Sequence, residues 1–377
     1  MLNDLTQAVL SREEVIRYLR GGPKETEGQA RERICAYLNE LHTTQRYTIY
    51  RALKHPLYPI LRKITRIVEG IDVVKHATKT SRVIYVSNHR SHTDYLIEPL
   101  ALDDNHIRPP VIAAGINLFG GPLGLIHRHV TGAIPIRRDT RDPAYLVTLK
   151  AYVAEVLQRH DLLLYPEGGR SYSGALKQPK TGLLHAAMQS ECDTPPLIIP
   201  MAIAYDLVLE DHILARQGVK RRQRPFALEF AEMVRYAVGY QSRAFVTFGE
   251  PISVEGWNPH SRRDVMALAK LVRERIGTLY KVLPTALVAA SIKPSITRDE
   301  LMDRIDNTLE ALHKLGANLG VQSGRDALDL ATETLVARGI IVSDQGRFRV
   351  RERRVLRYYA RSIQHLLDSP SMESRPN

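Results

Sequence analysis

Cysteine is scarce in this sequence: Cys35 and Cys192 are the only two in 377 residues. They lie far apart and lack the paired spacing of zinc or redox motifs. A disulfide framework and a thiolate metal cage are therefore not expected, and a reducing, cytoplasmic compartment is. No run of 18 apolar residues occurs, so no membrane-spanning helix is expected. Met1-Leu2-Asn3-Asp4 has no basic segment followed by an apolar core, so no signal peptide is expected either. Internal repeats and low-complexity tracts are missing as well. Acidic charge is in short supply: 53 Lys and Arg face 41 Asp and Glu, a formal net charge of +12. Such a surplus favours anionic partners, whether nucleic acid, an anionic membrane or a phosphorylated substrate, and does not choose among them.

What is present divides the chain into three regions, 1–78, 79–257 and 258–377. The first reads as helical. Thr26 to His42 carries Ile34, Leu38 and Leu41 at helical spacing. Tyr47 to Val68 reads as a basic amphipathic helix in which Arg51, Lys54, Arg62, Lys63 and Arg66 alternate with apolar residues. A segment of that kind either packs its apolar side on the main domain or lies on anionic lipid. The middle region alternates short apolar runs with helical patterns. Six runs read as strands: 83–86, 111–114, 133–136, 162–165, 197–203 and 244–248. Asp142 and Pro143 start a helix whose apolar face includes Leu146, Leu149, Val153 and Val156. The alternation predicts an α/β fold, a mixed β-sheet flanked by helices. The last region reads as mostly helical. Thr297 to Glu300 has the form of a capping box, Gly316 ends the helix that follows, and residues 326–350 suggest a winged-helix-like helix and hairpin.

Three polar segments each follow a predicted strand, where open α/β sheets bind ligands. The first is Ser87-Asn88-His89-Arg90-Ser91-His92-Thr93-Asp94-Tyr95. His89 and Asp94 are five residues apart, which on one helix separates them by about 140°. They meet only if the strand-to-helix turn lies between them. So placed, they form a general base and its orienting carboxylate. His92 is a rival base, and Asp94 as a simple helix cap is the plain alternative. The second segment holds Arg137 and Arg138, which can offer a guanidinium fork to a phosphate, with a simply solvated pair as the plain alternative. The third, Tyr165-Pro166-Glu167-Gly168-Gly169-Arg170-Ser171, brings glycines and polar side chains together, and Lys180 follows in Pro179-Lys180-Thr181-Gly182. It is not a P-loop, because Ala175 stands where the lysine belongs. No carboxylate or cysteine completes a metal set with the histidine pairs 89/92 and 127/129, and no G-x-S-x-G marks a serine nucleophile.

These blocks, in this order, resemble the glycerolipid acyltransferase superfamily with its His-x-x-x-x-Asp motif. The resemblance is closest to the glycerol-3-phosphate and dihydroxyacetone-phosphate acyltransferase branch. His89-Arg90-Ser91-His92-Thr93-Asp94 is similar to its first block, Ala113 to Leu118 with Arg137 and Arg138 to its second, Glu167-Gly168-Gly169-Arg170-Ser171 to its third, and Ile198 to Tyr205 to its fourth. The resemblance implies a transfer of a fatty acyl group from acyl-CoA or acyl-carrier protein to the sn-1 hydroxyl of glycerol 3-phosphate. It implies His89 as the base, Asp94 as its partner, and Arg137, Glu167, Gly168, Arg170, Ser171 and Lys180 as substrate-binding residues. Residues 198–203 would line the acyl-donor side. No cofactor and no metal are expected, nor is nucleic acid. Peripheral contact with the anionic inner membrane is expected, through the segment 47–68 or Phe119 to Ile126. Two departures bear on the acceptor: Tyr172-Ser173 replaces the usual Arg-Thr, and Asn88 precedes His89 as in lysophosphatidate acyltransferases. The alternatives are lysophosphatidate acylation and, in another class, non-catalytic binding of anionic lipid or nucleic acid. The run Lys220 to Arg224 is a basic loop that could steer an anionic donor.

Overall fold

The structure is a computed structural model that describes residues 2–21, 25–57, 64–138, 140–217 and 242–368. In chain order it runs α1 (Leu2–Ser11), α2 (Glu13–Gly21), α3 (Glu27–Leu41), α4 (Tyr47–Leu57), β1 (Ile64–Glu69), α5 (Ile71–Thr80), β2 (Val83–Ser87), α6 (Asp94–Asp104), β3 (Val111–Gly115), α7 (Gly121–His129), β4 (Ala133–Ile136), α8 (Pro143–Arg159), β5 (Leu162–Leu164), α9 (Gly182–Met188), β6 (Leu197–Tyr205) and α10 (Asp211–Gln217). Then come β7 (Ser242–Phe248), β8 (Ile252–Ser253), α11 (Arg262–Leu279), α12 (Pro284–Ser291), β9 (Ser295–Thr297), α13 (Arg298–Lys314), α14 (Gly324–Ala337), β10 (Ile341–Asp344), β11 (Arg347–Val350), α15 (Arg353–Ser362) and α16 (Gln364–Leu367).

Eight of the described strands form one mixed sheet in the order β1-β7-β6-β2-β5-β3-β4, with β8 paired to β6. β6, β2, β5, β3 and β4 are mutually parallel, while β7 runs against β6 and carries β1 with it. All six strands expected from continuous apolar runs are present. β2 shows why: Val83, Ile84, Tyr85, Val86 and Ser87 are all buried, as a central strand covered on both faces requires.

The helices cover the sheet. Asp142 caps α8 by accepting from Ala144 N at 2.9 Å, and α1, α2 and α3 pack on that helix. A buried ion pair between Arg12 and Glu155 ties the N-terminal helices down. The expected long amphipathic helix over 47–68 is not formed. Its first part is α4, residues 58–63 lie outside the described residues, and Ile64 to Glu69 form β1 in register with β7. β-branched Ile64, Thr65, Ile67 and Val68 suit an edge strand, and Arg66 turns to Asp104. The Lys220 to Arg224 run also lies outside the described residues.

The C-terminal region holds a second, three-stranded sheet, β10-β11-β9. With α12, α13 and α14 it has the helix-strand-helix-helix-hairpin connectivity of a winged helix. Thr297 caps α13 as expected, and Gly316 follows that helix at a φ of 67°. No helix among the described residues is long and apolar enough to cross a membrane.

Candidate active site

The carboxyl ends of β2, β3, β4 and β5 open onto one cavity of about 240 Å3. His89, Arg137, Arg138, Lys150 and Lys180 supply its polar rim, and Ala113, Leu118, Leu149, Leu164 and Leu183 are among its apolar walls. The strand-to-helix turn falls between His89 and Asp94, because Asp94 is the first residue of α6. That turn folds the two side chains together: His89 Nδ1 lies 2.9 Å from Asp94 Oδ2.

Asp94 is fully buried and its carboxylate is well compensated. Oδ2 accepts from the backbone N–H groups of Arg90 at 2.6 Å and Ser91 at 2.9 Å, and Oδ1 accepts from the Tyr205 hydroxyl at 2.7 Å. An anchored carboxylate fixes the Nδ1–H tautomer, so Nε2 is the nitrogen available to the cavity. The imidazole stacks on Tyr165, with ring centroids 4.5 Å apart and planes 25° apart. Burial pushes the His89 pKa below its ordinary 6.5 against the pull of Asp94, and Arg170 and Arg138 push the same way as burial. The ring is therefore a neutral base at neutral pH.

His92 lies away from the cavity lining, and its backbone N–H donates to Glu210 at 2.6 Å. The geometry thus favours His89 of the two histidines. Asn88 is a clamp between strands, exchanging two hydrogen bonds with the backbone of Ile203 at 2.9 and 2.8 Å. That role in the sheet is independent of any acceptor.

The six expected substrate-binding residues divide. Arg137, Gly168 and Lys180 line the cavity; Glu167, Arg170 and Ser171 do not. Arg137 meets Glu40 through Nε at 2.6 Å and through Nη2, and it packs on the rings of Tyr37 and Tyr145. Arg138 instead lies across the glycine turn. A Cβ at Gly115 would sit 2.9 Å from its guanidinium, and one at Gly169 would sit 3.4 Å from it. Lys180 crosses Gly168, where the φ of 68° and Lys180 Cδ, only 2.8 Å from a Cβ placed there, both call for glycine. Ser171 is buried, donating to the Ala175 carbonyl at 2.7 Å and, from its N–H, to the His89 carbonyl at 2.9 Å. Arg170 is buried against Tyr172 and 3.8 Å from Glu210. Glu167 is buried behind the turn, and neither carboxyl oxygen has a well-formed hydrogen bond. Burial pushes its pKa to about 6, although Arg90, Lys177 and the His89 backbone pull it down.

Four contributors were not singled out from the sequence. Tyr205 anchors Asp94, and Tyr165 supports the imidazole. Lys177 holds the turn by donating to the carbonyls of Gly169 at 2.9 Å and Arg170 at 3.0 Å. Glu98, one helical turn after Asp94, is fully buried and accepts from Ser87 and Tyr165. Burial first, and then the charge of Asp94, push its pKa well above the carboxylate range, so it is a neutral acid. The four-residue spacing from Asp94 is the one signal that could have found it. The expected lining by residues 198–203 is not seen: β6 is buried in the sheet and serves the site through Ile203 and Tyr205. Among the described residues, no three His, Cys, Asp or Glu side chains are grouped to hold a metal ion.

Residues 66–204 match the acyltransferase family model, and the span contains the whole His89–Asp94 turn, the arginine pair and the glycine turn. The site thus lies within the span that resembles the acyltransferase family. Its relatives are narrower in kind. The chain is 29% identical over 381 residues to the glycerol-3-phosphate acyltransferase of Aeromonas hydrophila subsp. hydrophila, covering 91% of this chain and 47% of that one. It is 30% identical over 340 residues to the glycerol-3-phosphate acyltransferase of Haemophilus ducreyi, covering 81% and 42%. The chain spans about half the length of the curated relatives it matches. Among solved structures, the 1-acyl-sn-glycerophosphate acyltransferase of Thermotoga maritima is matched at 16% identity and a TM-score of 0.35, over 73% of this chain and 95% of that one, a likeness too low to carry an argument.

Proposed function

We propose that this chain transfers a fatty acyl group from acyl-CoA or acyl-carrier protein to the sn-1 hydroxyl of glycerol 3-phosphate, giving lysophosphatidate. The observation that carries the reading is the His89–Asp94 pair set at a cavity with a cationic rim and apolar walls. The rim suits a phosphate and the walls suit an alkyl chain. His89 Nε2 takes the proton of the acceptor hydroxyl, and Asp94 stabilises the imidazolium that forms. The oxygen attacks the thioester carbonyl, a C–O bond forms, and a tetrahedral oxyanion develops. Backbone N–H groups of the glycine turn stabilise that charge. Collapse breaks the C–S bond, and the imidazolium returns its proton to the departing sulfur. The sequence uses no acyl-enzyme and draws on no cofactor beyond the acyl thioester.

Arg138 and Lys180 are the phosphate ligands on this reading, with Arg137 contributing through the cavity wall while paired to Glu40. Glu167, Arg170 and Ser171 shape the turn from behind it. The test is acyl transfer from palmitoyl-CoA to radiolabelled glycerol 3-phosphate, with lysophosphatidate as acceptor in parallel. Acylation of glycerol 3-phosphate is expected. Acylation of lysophosphatidate alone would keep the His89–Asp94 chemistry and overturn the acceptor.

A further inference from the structure

The positive charge of the C-terminal unit is concentrated in one stretch. Between residues 347 and 361, seven of fifteen residues are arginine, and Glu352 is the single carboxylate. On β11, Arg347 and Arg349 are exposed on either side of buried Phe348, and Arg351 continues the alternation. On α15, Arg353, Arg354, Arg357 and Arg361 are exposed, while Val355, Tyr358 and Tyr359 are buried. None of these seven arginines forms an ion pair with a described residue, whereas Arg12, Arg243 and Arg338 elsewhere are paired. Arg353 and Arg354 also occupy the first turn of α15, where the helix dipole disfavours cations and the one acid at that end is Glu352 at the N-cap. Uncompensated like charges repel, and an external anion relieves that repulsion. Arg216, Arg351, Arg353 and Arg354 converge, with His212 and the lone carboxylate Glu352, on a cleft between α10 and the start of α15, four guanidinium groups to one acid.

The winged-helix connectivity raises nucleic acid as a partner, and the charge pattern argues against it. In that architecture the second helix of the pair, here α14, enters the groove. Its exposed side carries Asp326, Glu333 and Asp329, the last paired with Arg298, against the single cation Arg325, a balance that offers a phosphodiester backbone little. The basic surface lies instead on the hairpin and on α15. The opposite side of α15 reaches the active-site turn, where the Tyr358 hydroxyl contacts the Arg90 carbonyl at 3.4 Å.

We propose that β11 and the exposed face of α15 dock this chain on an anionic phospholipid surface, with the Arg216/Arg351/Arg354 cleft seating a lipid phosphate. Guanidinium forks match phosphate oxygens, and basic side chains near an anionic bilayer each add to binding within a Debye length. The proposal rests on the acyltransferase reading in expecting a lipid surface at all, and it moves membrane contact away from residues 47–68.

Vesicle flotation of the full chain tests it without an activity assay. The probes are phosphatidylcholine vesicles with and without phosphatidylglycerol, at low and high salt. Binding is expected with phosphatidylglycerol, weakening with salt. Arg353→Glu/Arg354→Glu is expected to weaken it at least tenfold while circular dichroism and thermal unfolding stay native. Arg262→Glu/Arg263→Glu, exposed at the start of α11 and equal in charge change, is expected to cost less than twofold. Equal losses in both variants, or no loss in the first, would overturn the docking face. Tighter binding to duplex DNA than to phosphatidylglycerol vesicles would overturn it too. Absence of vesicle binding beside intact acyl transfer would remove the face and leave the proposed reaction standing.

Discussion

The Tyr205 hydroxyl donates a 2.7 Å hydrogen bond to Asp94 Oδ1, joining the end of the central strand β6 to the first residue of α6. Both groups are buried, so removing the hydroxyl strips one donor from a carboxylate that water does not reach. Tyr205→Phe should cost about 1–3 kcal/mol in chemical denaturation. Its kcat should fall less than that of Asp94→Ala, because the two backbone donors and His89 still hold Oδ2. A kcat loss in Tyr205→Phe equal to that of Asp94→Ala would assign the tyrosine a part in the chemistry itself.

The pH profile of kcat/KM should show an acid limb below the ordinary histidine value of 6.5, since burial disfavours the imidazolium of His89. Asp94→Asn removes the charge that opposes this shift, so residual activity should have its limb at lower pH still. Glu167 titrates near the same range, at about 6. Glu167→Gln should therefore keep the limb, and its disappearance there would transfer the titration from His89 to Glu167.

Glu98 makes stability depend on pH in a predictable direction. The folded state keeps its proton, while the unfolded chain releases it near 4.5. As pH rises above 4.5 the unfolded state gains, and stability falls until folded Glu98 itself ionises. Glu98→Gln retains partners for Ser87 and Tyr165 and escapes that loss. The Tm of the variant relative to wild type should rise from pH 4.5 to pH 8. A difference that stays constant across this range would contradict a neutral Glu98.

Gly174 and Gly256 share a left-handed backbone, with φ of 83° and 82°. A Cβ at Gly256 would meet open space, but one at Gly174 would sit 1.9 Å from the Tyr358 carbonyl oxygen. Gly256→Ala should cost about 1–2 kcal/mol for the conformation alone. Gly174→Ala adds overpacking of about 1–3 kcal/mol and disturbs the carbonyl that accepts from Arg90. Urea denaturation of the two variants gives the comparison, and equal losses would show that α15 yields easily at this contact.

Much of the fold was legible because apolar runs such as 83–86 and 162–164 bury on both sides of a sheet. β1 was not. Its burial is partial, and Arg66 and Glu69 follow directly on a basic apolar stretch that reads as helix. The His89–Asp94 pair was legible because its contact is local, five residues across one turn. What places Arg137 against Glu40 lies 97 residues away, and what anchors Asp94 lies 111 residues away. Neither distance leaves a local pattern. The arginine pair could be found from sequence, but which member lies over the glycine turn depends on those distant partners.

The measurement that bears most directly on the account is acyl transfer to glycerol 3-phosphate by His89→Ala beside wild type, with thermal unfolding of both proteins. The account predicts a fall in kcat of about 10³-fold, within the usual range for a positioned general base, and native-like unfolding. A folded variant turning over at wild-type rates would contradict it.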